Sequence, residues 1–124
     1  MIRSKRPWRH TFQVALEGIW YTLRTQRNMQ VHLGVMFAVT GLGLALGLER
    51  TEWFWIGLCI TLVIMAELFN TAIETVVDLV MLNPHPLAKI AKDTAAGAVL
   101  VAAVFAVIVG VILLGIPVWK LLVN

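Results

Sequence analysis

Between Thr94 and Trp119 the chain runs for 26 residues without a charged side chain. A stretch that long and apolar reads as a bilayer-crossing helix, because hydrocarbon offers backbone N–H and C=O groups no partner outside the helix itself. Two further uncharged runs, Val35 to Leu48 and Phe54 to Ala66, precede it. With 124 residues, 60% of them hydrophobic and 14% charged, the chain is too apolar for a soluble domain and too short for more than one. It reads as one all-α integral membrane unit, 1–124. The lone Cys59 lies inside an apolar run and suits core packing; a disulfide framework or a Cys/His zinc pattern is excluded. Met1 to His10 are basic but lead into no small-residue cleavage site, so no removable signal peptide is expected.

Periodicity divides the unit. Over 8–27, Trp8, Phe12, Ala15, Leu16, Ile19, Trp20 and Leu23 recur at three- and four-residue spacing, with Arg9, Gln13, Glu17 and Arg24 mainly on other faces. That pattern predicts an amphipathic helix lying in the membrane interface. Residues 29–48 predict a first span, with Gly43 and Gly47 spaced for close helix packing. The glycines of Gly41 to Gly47 do not form a nucleotide loop, since no strand precedes them and their spacing is wrong. Glu49 to Glu52 form an outer turn, and Trp53 and Trp55 mark the outer interface. A second helix is expected over 53–82. Asn83-Pro84-His85-Pro86 breaks it, and a third follows over 86–120, closed by Pro117 and Trp119.

The charges orient these spans. Arg3, Lys5, Arg6, Arg9, Arg24 and Arg27 precede the first span and Lys89 and Lys92 lie before the third, while Arg50 and Lys120 fall on the opposite side. The positive-inside rule then puts the N-terminus and the second loop in the cytoplasm and the C-terminus outside. Anionic headgroups account for the basic N-terminus more simply than a nucleic acid would.

One stretch carries the chemistry. At about 100° per residue, Glu67, Asn70, Glu74 and Asp78 fall on nearly one line of the second helix, while Leu68, Ile73, Val76 and Val77 take other faces. Glu67 is about 21 Å of helix from Trp53, just inside the inner boundary, and Glu74 is about 10 Å further, at headgroup level. A carboxylate at such depth is costly and marks a functional group facing a partner or a wet cavity. Carboxylates on adjoining turns suit Mg²⁺ shared with phosphate oxygens, a lysine such as Lys92 supplies a point charge for phosphate, and a deeper carboxylate can accept a proton. These are the parts of phosphoryl transfer, although no Walker A or protein-kinase signature is present. A proton or cation pathway, or a non-enzymatic scaffold whose stripe satisfies itself between subunits, remains open on spacing alone. The confinement of polar groups to the inner-leaflet side favours a site over a pore.

Glu67-Leu68-Phe69-Asn70-Thr71-Ala72-Ile73-Glu74-Thr75-Val76-Val77-Asp78, followed by Ala88-Lys89-Ile90-Ala91-Lys92-Asp93-Thr94-Ala95-Ala96-Gly97-Ala98-Val99, closely resembles the prokaryotic diacylglycerol kinase/undecaprenol kinase family. The resemblance covers almost the whole chain. It implies a homotrimeric bundle in the bacterial inner membrane, each subunit with three transmembrane helices and an amphipathic surface helix. It also implies MgATP-dependent phosphorylation of a lipid hydroxyl, a step of phospholipid metabolism. By position, Glu67 matches the general base, with Asn70 beside it. Glu74 matches a metal ligand that engages the nucleotide phosphates, Lys92 and Asp93 match a nucleotide-contacting pair, and Asn83 to His85 match a loop that reaches the nucleotide in relatives. Glu67 and Ala96 match acceptor-contacting positions. Gln26-Arg27-Asn28-Met29-Gln30-Val31-His32 resembles the family segment that opens with a metal-binding glutamate; here Gln26 offers Mg²⁺ an amide oxygen without a charge. Asn28, His32 and the run Pro86 to Asp93 look more like the undecaprenol kinase branch. Tail chemistry does not separate undecaprenol from diacylglycerol, since both need only an apolar groove at the right depth.

Overall fold

The computed structural model describes residues 7–124, so the basic Arg3, Lys5 and Arg6, and the part of the signal-peptide reading that falls on Met1 to Arg6, lie outside the described residues. The described chain is helical, with elements α1 (Trp8–Thr25), α2 (Arg27–Leu46), α3 (Arg50–Val80), α4 (Pro86–Gly110) and α5 (Ile116–Val123). A π-helical turn, Val111–Gly115, joins the last two into one rod. Three rods are long and apolar enough to cross a membrane, over Arg27–Leu46, Arg50–Val80 and Pro86–Val123.

The 31 residues of α3 span about 46 Å, well beyond a hydrocarbon core of about 30 Å, so an end of the helix must stand in the headgroups or water. Its buried face is one stripe at three- and four-residue spacing: Ile56, Cys59, Val63, Glu67, Asn70 and Thr71. The same stripe is apolar in its first half and polar in its second. α3 packs most extensively against α4, and α2 touches α3 over a smaller area. Near the N-terminal end of α3, Trp55 meets Phe105 of α4 with ring centroids 6.5 Å apart.

The α1–α2 corner turns at a single residue. Gln26 is extended, at φ −103° and ψ 114°, between two helices. Gln30 Nε2 donates back to the carbonyls of Leu23 and Arg24, pairing acceptors that the end of α1 would leave open. Thr22 and Met29 are buried at this corner, while Trp8, Phe12, Leu16 and Trp20 are exposed on α1. Such a face needs an apolar cover, which a lipid interface supplies.

The two glycines of α2 have different jobs. Gly47 adopts φ +69° and ends the helix, a conformation that costs an L-residue strain, and a Cβ there would meet nothing. Gly43 is the close-packing position: a Cβ would fall 2.8 Å from the Trp53 ring and 2.9 Å from Leu48 Cδ1. Gly43→Ala is therefore expected to displace Trp53 and to cost about 1–3 kcal/mol, seen as a lowered thermal midpoint in detergent. An unshifted midpoint contradicts that contact.

Pro117 does not end the third rod. The helix widens just before it, where Ile116 N–H bonds back to Val111 O, and continues to Val123. Proline lacks the N–H that α-helical bonding requires, and the π turn absorbs the mismatch.

Candidate active site

On α3 the carboxyl of Glu67 sits one turn inward of Val63 and is 1% exposed. Holding a carboxylate there costs several kcal/mol unless partners compensate. His32 of α2 supplies one, its Nε2 3.1 Å from Glu67 Oε1. The pair lies at ion-pair distance without the alignment of a hydrogen bond, so Oε1 has no hydrogen-bonded partner among the described residues. Asn70, one turn on, is 7% exposed; its Nδ2 donates weakly to Glu74 Oε1 at 3.4 Å, and its Oδ1 is likewise unpaired. Thr71 removes its own hydroxyl from the site by donating to Glu67 O. Two buried oxygens without donors, on one face and followed by Glu74, form a patch suited to a donor or a cation that the described residues do not supply.

The patch lies between two environments. Towards the N-terminal end of α3 an apolar groove of about 390 Å³ runs between α2, α3 and α4, from Ile56 and Gly110 to His32. Apart from His32 and the Cys59 thiol its lining is apolar, including Val35, Met36, Val63 and Val107. Towards the C-terminal end of α3 the face emerges into charge. Lys92 Nζ of α4 donates to Asp78 Oδ1, tying the end of α3 to the start of α4, and Lys89 donates to Asp93 within α4. Lys92 lies before the uncharged stretch that opens at Thr94.

Sequence-marked residues are thus distributed in two groups. Glu67, Asn70 and Glu74 share one face, with Lys92 and Asp78 paired beyond it. His85 caps α4, accepting from Leu87 N–H through Nδ1, with Pro86 in the first turn. Asn83, Asp93 and Ala96 are exposed. Gln26 is half-buried at the α1–α2 corner, where its Nε2 donates to Thr25 Oγ1 at 3.2 Å. His32 is a neighbour of Glu67 to which sequence reasoning gave no role there. A histidine one turn after the buried Met29, at the depth predicted for Glu67, is the signal that could have found it.

The donor chemistry fits Mg²⁺ in a restricted sense. Among the described residues no three carboxylate, imidazole or thiol groups converge on one point, so an all-protein cage is absent. The buried Asn70 Oδ1 beside the Glu74 carboxylate instead suits an ion that keeps waters and shares phosphate oxygens.

Residues 13–114 match the prokaryotic diacylglycerol kinase family, and the chain belongs to that family. An undecaprenol kinase of Bacillus subtilis is 48% identical over 103 residues, covering 83% of this chain and 84% of that protein. A diacylglycerol kinase of Synechocystis is 46% identical over 114 residues, covering 91% of this chain and 65% of that protein's length. The chain is accordingly an enzyme of the lipid-kinase class.

Proposed function

We propose that the protein transfers the γ-phosphoryl group of ATP to the hydroxyl of a membrane lipid alcohol, undecaprenol before diacylglycerol, at the cytoplasmic face of the bacterial inner membrane. The observation that carries this reading is the buried Glu67 carboxylate with an unpaired oxygen, between an apolar groove and a charged helix end. The acceptor enters from the membrane with its hydroxyl at Glu67, and ATP approaches from the side of Glu74 and Lys92. Glu67 takes the hydroxyl proton, the acceptor oxygen bonds to the γ-phosphorus, and the bond to the bridging oxygen breaks to release ADP. Lys92 neutralises charge on the phosphates, and Asn70 fixes the Glu74 carboxylate through its amide. Glu74, with Asn70 and Gln26, would hold Mg²⁺, which when bound supplies charge neutralisation on the phosphates. One three-helix subunit does not enclose such a site, so neighbouring chains of an oligomer complete it; that the oligomer is a homotrimer is what the family resemblance implies.

The test is transfer of labelled γ-phosphate by purified protein in mixed micelles, with undecaprenol and diacylglycerol in competition. Phosphorylated undecaprenol is expected to dominate. Label on neither lipid, with cation or proton flux in proteoliposomes, replaces the kinase reading with the pathway one.

Gln26 gives a second test. Gln26→Glu adds a negative charge and is expected to lower the Mg²⁺ concentration at half-maximal activity several-fold. An unchanged midpoint removes position 26 from the metal site.

A further inference from the structure

We propose that His32 is the positioning residue for Glu67, holding its carboxylate at the polar end of the apolar groove so that Oε1 meets the acceptor hydroxyl. The inference deepens the reading of Glu67 as the base and rests on it.

Three observations carry it. His32 Nε2 stands 3.1 Å from Glu67 Oε1, and the two residues come from different helices, so α2 sets the position of a group on α3. His32 also lines the groove, beside Val35 and Met36 on its own helix and across from Val63 and Ile64. Finally, Glu67 Oε1 is buried yet lacks a hydrogen-bonded donor, which leaves it open to an incoming O–H. A glutamate side chain has three rotatable bonds, and an unrestrained carboxylate would visit orientations that do not face the groove. The imidazole beside Oε1 narrows that set. Because near-attack geometry tolerates little error, a misplacement of about 1 Å can cost about 100-fold in rate.

The test compares three variants in the full-length protein reconstituted with undecaprenol. His32→Phe keeps a ring and removes both nitrogens. His32→Gln returns an amide nitrogen near the place of Nε2, and His32→Asn returns one only near Nδ1. The expected result is a kcat lowered about 10- to 100-fold in His32→Phe, with KM for ATP within about twofold of the parent. His32→Gln recovers most of the loss and His32→Asn does not. Equal activity in the Gln and Asn variants overturns the proposal, and so does a parental kcat in His32→Phe. The Gln–Asn comparison decides the matter even if His32→Phe does not fold. Glu67→Gln, assayed alongside, separates the two failures. If it retains turnover, the base reading itself falls; if it is inactive while His32→Phe is parental, only the role of His32 falls.

Discussion

Glu67→Gln is expected to lower phosphoryl transfer by at least about 10²- to 10⁴-fold, the range that a positioned general base contributes. The amide nearly preserves shape and volume while removing the capacity to accept the acceptor's proton. Because Glu67 is 1% exposed at the groove end of the stripe, its neutralisation should leave nucleotide affinity nearly parental. Folding should be preserved too, since the substitution removes a desolvated charge rather than creating one. Calorimetric titration with MgATP and a labelled-phosphate assay on the same preparation separate these effects. Retained turnover takes the base role from Glu67, and lost nucleotide binding moves the residue to the phosphate side of the site.

Lys92→Met is expected to produce the second large effect, a fall of about 10²- to 10³-fold in kcat/KM for ATP, comparable to removing a preorganised charge-stabilising group. The structure provides its own control, because Lys92 is paired with Asp78. If Lys92 did no more than tie α3 to α4, Asp78→Asn would do the same damage as Lys92→Met. If Lys92 serves the phosphates, Asp78→Asn should cost less than about tenfold, since a solvated ion pair contributes little by itself. The double variant should match Lys92→Met alone. Equal losses in both single variants assign Lys92 to structure.

Much of this architecture was legible because lipid allows few alternatives. Uncharged runs ending at Leu48, Ala66 and Trp119 have little choice but to become helices in hydrocarbon. Glu67, Asn70 and Glu74 were legible for the same reason: charge inside such a helix demands a partner, and their spacing puts them on one face. Relations between helices were not legible. Nothing local ties His32 to Glu67, because the contact depends on how α2 crosses α3. Lys92 and Asp78 could both be placed at the inner end, but their pairing follows from how α3 and α4 meet across the proline turn. His85, marked for the nucleotide by resemblance, spends its Nδ1 on the first turn of α4.

Glycine and proline misled where one residue type serves several ends. Gly47 fits a packing motif by spacing, yet its positive φ makes it the stop of α2, and only Gly43 touches a neighbour. Pro117 is expected, with Trp119, to close a helix over 86–120, but a π turn just before it carries the helix on to Val123.

The account turns on Glu67 being a carboxyl group reached from the hydrocarbon side and shared with the acceptor alcohol. Treatment of the reconstituted enzyme with dicyclohexylcarbodiimide, a carbodiimide that partitions into membranes, followed by mass mapping, addresses that claim directly. The predicted result is an adduct on Glu67 that accumulates in step with loss of kinase activity and is suppressed by undecaprenol. Inactivation without an adduct on Glu67, or an adduct that forms at the same rate with and without the acceptor, contradicts it.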